Sequence, residues 1–566
     1  MQSITFDQAE AIGVVQSVDT GTAVVQVTEP NQLSMLQVNH MVVIQASAPG
    51  QLLIGMVSKI MRRFAQVPGW TGDEDAAAAD IVKVTLVGTL MTGERGRSPV
   101  FKRTLESAPS IDAVCCRMAH EQLTAFMSIL SGSSARTENP LCLGCYALDA
   151  GAKAYLDGNK LFQRHAVIVG STGSGKSYTV AKLLEQMEPL PSCNAVVFDI
   201  HGEYAPLEGE HIQHYRIAGP TDGEGEDILY LPYWLLTYSE MLPLMLERSD
   251  DNAPNQAMLF SRAVMDAKRT HLESLGRRDL LSRFTIDSPI PYKVTEILQI
   301  LENENEMMVV GATGREKQGP NFGKLTRFLQ RLNAKLQDRR LNFMFSGSSA
   351  LLDDGYMETL CRKLMAPASL GGGIKIVDFS EVPSDILPLI VSLVARLVFS
   401  VQQWVPKERL QPISLFCDEA HLYIPAHARE GVESSSLHSF ERIAKEGRKY
   451  GVGLVVITQR PSEVNHTVLS QSSNFIAMRL TNVDDQNVIN RLLPDSLGNF
   501  SELLPVLDIG EALVVGDASL LPSRIKVTEP LCKPDSATVR FWDAWSQTTV
   551  PDTIGEAVAC LRRQGR

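Results

Sequence analysis

The segment G-S-T-G-S-G-K-S at residues 170–177 has the residue types and spacing to hold a chain of phosphates. Gly170, Gly173 and Gly175 let successive backbone N–H groups turn inward around an anion, because no Cβ blocks its approach. Lys176 would neutralise β- and γ-phosphates, and the Ser177 hydroxyl would coordinate Mg²⁺. Ser171, Thr172, Ser174 and Tyr178, within and just after the loop, complete the expected nucleotide-binding set. The cofactors to expect are therefore ATP and Mg²⁺.

Such a loop binds but does not hydrolyse, so carboxylates are needed as well. The run I-S-L-F-C-D-E at 413–419 ends in two of them. Asp418 is suited to Mg²⁺ and Glu419 to polarising the attacking water. A second block, D-I-H-G-E-Y at 199–204, carries Asp199, His201, Gly202 and Glu203 to the carboxyl end of a strand, where open α/β folds bind ligands. Glu203 would assist Glu419 or hold the water; a capping and turn role is the alternative. In T-Q-R-P at 458–461, Gln459 ends a strand and could sense the γ-phosphate, with the same alternative. The run at 441–451 carries Arg442, Lys445, Arg448 and Lys449. Arg448 or Arg442 is a candidate to reach a neighbouring subunit's nucleotide; a solvated basic helix is the alternative.

These groups need strands to place them. Apolar runs at 166–169, 195–200, 374–379, 413–417, 454–458 and 475–480 alternate with helical segments, the pattern of buried parallel strands covered by helices. Between the second and third lies a long, mostly helical stretch at 234–370, expected as an inserted bundle. Its basic helix, with Lys324, Arg327, Arg331, Lys335 and Arg339, reads first as a solvated face and second as a nucleic-acid contact. The first hundred residues read as a small barrel or sandwich, with short β-rich segments at 12–18, 22–27, 41–44, 53–57 and 81–86 and an exposed acidic loop at 69–80.

A chain of 566 residues with 44% hydrophobic and 21% charged residues is a folded protein of several units. The net charge of −12 argues against a surface uniformly attractive to nucleic acid but leaves room for a local basic channel. Nothing at the N-terminus reads as a secretory signal. The most apolar stretch, 386–399, is short for a membrane span and contains Arg396, so no membrane segment is expected and a cytoplasmic location is. Cys142 and Cys145 lack the second pair a zinc ribbon needs, which leaves reduced structural thiols.

Taken in order, the blocks R-H-A-V-I-V-G-S-T-G-S-G-K-S, D-I-H-G-E-Y, L-P-Y-W-L-L, F-C-D-E-A-H, R-I-A-K-E-G-R-K-Y-G and T-Q-R-P resemble the HerA members of the HerA/FtsK superfamily over most of residues 150–530. The resemblance implies a RecA-like P-loop NTPase core of α/β class with an N-terminal β-barrel (HAS-barrel-like) and a helical insertion. The expected division is barrel 1–110, connector 111–145, core 146–233 and 371–526, insertion 234–370, and a C-terminal extension 527–566 that braces the adjacent subunit. It further implies a homohexamer that moves double-stranded DNA through its channel, in DNA end processing or anti-phage defence. The partner would be a nuclease or a sirtuin-like effector. A nucleotide-regulated scaffold that activates such an effector is the other reading, and a membrane DNA pump is disfavoured.

Overall fold

The computed structural model describes residues 11–28, 33–34, 36–64, 78–92, 99–131, 139–220, 222–223, 225–246, 250–310, 314–346, 348–428, 431–492, 501–536, 539–549 and 552–563. The chain forms two compact units, Met1–Gln186 with Ser473–Pro530 and Met187–Ser472 with Leu531–Arg566.

The first unit begins with a closed barrel. Strands β1 (Ala11–Asp19), β2 (Thr22–Val27), β3 (Met41–Gln45), β4 (Gln51–Phe64), β5 (Ala78–Met91) and β7 (Val114–Arg117) pair in a ring, closed by β2 on β5, while the short β6 (Val100–Lys102) hangs on β5. Alternation explains it: β2 buries every second residue, and Ile12, Val15, Val25, Val42, Leu53 and Val84 fill the interior. Gly13 is required where the strands cross closely, since a Cβ there would lie 1.9 Å from the Gln26 carbonyl oxygen. Two expectations change. The closing strand β7 falls in the stretch assigned to a connector; it is only four residues long, so no alternating pattern could announce it. Of the loop expected at 69–80, residues 78–80 belong to β5, and the rest lies outside the described residues.

Past the barrel come α1 (His120–Leu130), the hairpin of β8 (Leu141–Tyr146) and β9 (Asp149–Leu156), then β10 (Ala166–Val169) leading into α2 (Lys176–Met187). The second unit carries β11 (Ala195–Asp199), β12 (Ile212–Ile217) and β13 (Ile228–Leu229). The inserted elements are α3 (Tyr238–Met245), α4 (Ala253–Ser274), α5 (Val294–Glu306), the hairpin β14 (Met308–Val310) and β15 (Glu316–Gln318), α6 (Thr326–Gln337) and α7 (Tyr356–Met365). Then follow β16 (Ile374–Asp378), α8 (Leu387–Trp404), β17 (Ile413–Cys417), α9 (Val432–Glu446) and β18 (Val452–Thr458). The chain returns to the first unit with β19 (Asn474–Ala477), β20 (Glu511–Gly516) and β21 (Ser523–Val527), and ends in α10 (Phe541–Trp545) and α11 (Ile554–Arg563).

Within the first unit the strand order is β10-β19-β20-β21-β8-β9, with β10 and β19 parallel and the others antiparallel. Barrel residues Met41, Ile54 and Phe101 share a core with Phe126 of α1, Tyr146 and Leu521, so barrel and sheet pack as one body there. The second unit holds the order β13-β12-β16-β11-β17-β18, every pair parallel. β17 and β18 are buried at every position, which is why they read as unbroken apolar runs. The chain thus has the expected α/β class, with a RecA-like core, an N-terminal barrel and an inserted helical bundle.

In the insertion, α6 buries Phe328, Leu329 and Leu332 and leaves Arg327 exposed, as are Lys324 just before it and Arg339 just after it. Lys375 of β16 is fully buried; its Nζ donates to Asn194 Oδ1 (2.6 Å), Ala366 O (2.8 Å) and Gly373 O (2.7 Å), which staples the end of the insertion to the sheet. Burial lowers its pKa to about 7.

By length and composition α8 could cross a membrane, but 72% of it is buried inside the protein. Its Arg396 explains the charge in this apolar stretch. The guanidinium donates to both oxygens of Glu240, at 2.7 and 2.8 Å, and to Leu235 O at 2.8 Å. Glu240 in turn closes a capping box with Thr237 at the start of α3. Glu240→Ala strands a largely desolvated guanidinium and removes a cap. Loss of one partner of such a pair costs about 3–5 kcal/mol, so a clear fall in the denaturation midpoint is expected while Arg362→Ala, whose pair with Glu358 is exposed, shifts it little.

Candidate nucleotide-binding and hydrolysis residues

In the first unit, β10 ends at Val169 and the loop folds back over the start of α2. Gly173 and Gly175 take φ of 73° and 108°, which side-chained residues rarely adopt. Close approach excludes a side chain at Gly170 too: a Cβ would lie 2.4 Å from Ser174 Oγ and 2.9 Å from Met478 Cβ. The loop is held from outside by Ser171 N–H to Arg479 O (2.8 Å) and Gly510 N–H to Ser174 O (2.8 Å). Lys176 is largely buried, its Nζ 3.5 Å from Ser171 O. The Ser174 hydroxyl is buried with no hydrogen-bond partner among the described residues. A preformed turn with a buried lysine, left-handed glycines and an orphaned hydroxyl at a helix N-terminus fits a polyphosphate. Thr172 and Gly173 are exposed, and Ser177 and Tyr178 are half-buried in the first turn of α2.

In the second unit a carboxylate cluster gathers at the ends of β11 and β17. Asp199 is buried and accepts N–H groups from Glu203 (3.0 Å) and Tyr204 (2.9 Å), which shapes the turn that carries Glu203. The C-terminal extension holds the same turn, through Asp535 N–H to Glu203 O at 2.7 Å. Burial, and then the Asp378 charge, push Asp199 up to about 6 against its backbone donors. Asp418 is pushed well above the carboxylate range by burial first, then by Glu419, Glu203 and Asp199. Among the described residues these acids are not grouped to hold a metal ion by themselves, but a divalent cation carried in with nucleotide phosphates would relieve their repulsion.

Glu419 directly follows Asp418, with φ 43° and ψ 46°. A non-glycine residue in that region carries strain of about 1–3 kcal/mol and marks a position the surroundings enforce. Its Oε1 accepts from Gln459 Nε2 at 3.2 Å and its Oε2 lies 3.2 Å from His421 Nδ1. His421 Nδ1 also lies 3.3 Å from Thr458 Oγ1 at the end of β18. The Tyr423 hydroxyl fixes the strand end by donating to Asp418 O at 2.8 Å. The second unit therefore brings together Glu203, Asp418, Glu419 and Gln459 as the sequence suggests, and adds His421, Tyr204 and Tyr423. All three stand in or beside the motif blocks, but residue type alone gave them no role.

The two basic candidates differ. Arg442 on α9 stacks over the Phe399 ring at 5.4 Å and approaches Glu446 at 3.7 Å. Arg448, in the turn after α9, is exposed with no ion-pair partner among the described residues. The Cys142 and Cys145 thiols are free, and no cluster of metal-ligating side chains is found among the described residues.

Residues 141–398 match the family model for the central domain of helicase HerA. Among curated proteins, a probable helicase, MJ1565, of Methanocaldococcus jannaschii is 26% identical over 378 residues, covering 66% of this chain and 64% of that protein. The DNA double-strand break repair helicase HerA of Saccharolobus solfataricus is 25% identical over 372 residues, covering 65% and 64%. The chain thus spans a little under two thirds of the length of these relatives. A solved structure, the bacterial conjugative coupling protein TrwBdeltaN70, matches with a TM-score of 0.44 at 13% identity over 75% of this chain and 94% of that one, too loosely to carry an argument.

Proposed function

We propose that the chain, similar to helicase HerA over residues 141–398 and to HerA-type helicases along about two thirds of its length, is a HerA-like P-loop ATPase of the HerA/FtsK superfamily that hydrolyses ATP to drive double-stranded DNA through a homohexameric ring. The observation that carries this reading is Glu419: a carboxylate in an enforced left-handed conformation, at a strand end beside buried Asp418, with Oε1 held by the Gln459 amide and Oε2 3.2 Å from His421 Nδ1. An idle surface acid needs none of this.

The roles follow from the chemistry of each group. Backbone N–H groups of the loop and Lys176 bind the β- and γ-phosphates. Ser177 and Asp418 are the residues that would hold Mg²⁺, which when bound neutralises charge on the phosphates. Glu419 orients the attacking water and takes its proton, while Gln459 and His421 keep the carboxylate in place. Glu203 holds the water from the turn set by Asp199. Arg448, exposed and without an ion-pair partner among the described residues, is our candidate to reach the neighbour's nucleotide. Exposed apolar residues on the extension, Trp542 and Trp545 among them, support a subunit contact there.

Arg448→Ala is expected to spare nucleotide binding and lower turnover of the assembled ring by ~10³, the scale of an arginine finger. Mixing it with wild type should give less activity than the sum of separate rings; Arg442→Ala should change little. Displacement of a triplex-forming strand from duplex DNA tests the motor itself. ATP-dependent displacement supports translocation, and hydrolysis without displacement contradicts it.

A second reading is a nucleotide-regulated hexameric scaffold that activates an effector such as a nuclease or a sirtuin-like enzyme. The net charge of −12 favours it, since it gives the chain as a whole no general attraction for a polyanion. Under either reading we assign the protein to the cytoplasm, in DNA end processing or anti-phage defence.

A further inference from the structure

Tyr204 ends the D-I-H-G-E-Y block, and its ring is fully buried. Its hydroxyl has no hydrogen-bond partner among the described residues. Tyr423 nearby in the same unit is the opposite case, its hydroxyl satisfied by Asp418 O at 2.8 Å. A buried O–H without an acceptor is destabilising, and phenylalanine would fill the same space without that cost. The hydroxyl therefore serves a state other than the resting one. Its charged neighbours are acids: burial first, and then Asp418, Glu203, Asp199 and Glu419 in that order, hold the phenol well above its ordinary pKa. The backbone is already fixed, with Tyr204 N–H on Asp199 Oδ2 at 2.9 Å.

We propose that Tyr204 is a positioning residue of the hydrolysis site, whose O–H donates to the Asp418 carboxylate when Mg²⁺ and nucleotide are bound and keeps it aimed at the cation. The inference rests on Asp418 being the carboxylate that holds the metal. An ionised carboxylate offers about four acceptor positions, so the Glu419 N–H it already accepts leaves room for the phenol.

The test compares wild type, Tyr204→Phe and Tyr423→Phe by two readouts. One is Mg²⁺ titration of the binding of a fluorescent ATP analogue; the other is thermal unfolding without nucleotide. Tyr204→Phe should melt at or above the wild-type temperature, bind the analogue normally in EDTA, and need about tenfold more Mg²⁺ for its half-maximal effect. Tyr423→Phe should melt lower. A Tyr204→Phe protein that titrates like wild type overturns the proposal, and one that melts lower without nucleotide shows a bond within the resting fold and overturns it as well. Should wild-type binding be indifferent to Mg²⁺, the assignment of Asp418 fails first and the role of Tyr204 falls with it.

Discussion

Glu419→Gln is expected to give a protein that binds Mg²⁺·ATP as tightly as wild type and hydrolyses it ~10²–10⁴ times more slowly, the usual range for loss of a general base. Glutamine has the same shape, so it keeps the left-handed turn at φ 43° and an oxygen for the Gln459 amide at 3.2 Å. What it loses is an oxygen able to take a proton from water. Its amide also cannot accept from His421, so the 3.2 Å contact to Oε2 changes character while the fold stays. Single-turnover hydrolysis beside equilibrium binding of a fluorescent ATP analogue separates the two quantities. Normal turnover in this variant removes Glu419 from the catalytic role.

Lys176→Ala should act on the other quantity. The ammonium is largely buried at the start of α2 and in the resting chain leans on Ser171 O at 3.5 Å, a weak contact that a phosphate would replace. A hydrogen bond to a charged group contributes about 1.5–3 kcal/mol, so nucleotide affinity should fall about tenfold to a hundredfold. It should not vanish, because the glycine backbone and the N-terminus of α2 remain. Lys176→Arg should not restore it, since a planar, longer guanidinium does not fit where a compact ammonium sits. Undiminished affinity in Lys176→Ala would place the phosphates elsewhere.

Much of this was legible in the sequence because the signals are local. Left-handed glycines at fixed offsets specify the phosphate loop, and strands buried on both faces, such as β17 and β18, leave unbroken apolar runs. The parts that were not legible depend on distant partners. Strand β7 closes the barrel through pairing with β1 and β3, and nothing in V-C-C-R announces that. The antiparallel strands β8, β9, β20 and β21 extend the first unit's sheet through partners distant in sequence, and Gly144 sits where a Cβ would meet Lys526 O at 2.0 Å. Arg396 reads in the sequence only as an objection to a membrane span; its partner Glu240 is 156 residues away. The carboxylates of the second unit were each visible at a strand end, whereas their mutual effect on Asp418, and the idle hydroxyl of Tyr204, arise only when β11 and β17 lie side by side.

On the proposed function, hydrolysis in this chain is coupled to duplex DNA. Steady-state ATP hydrolysis by the purified protein, with and without linear duplex DNA and with Glu419→Gln as the blank, tests it most directly. Duplex DNA should stimulate hydrolysis, and the stimulation should weaken as salt rises, as phosphate-backbone contacts require. Hydrolysis that duplex DNA leaves unchanged at every salt concentration would contradict it.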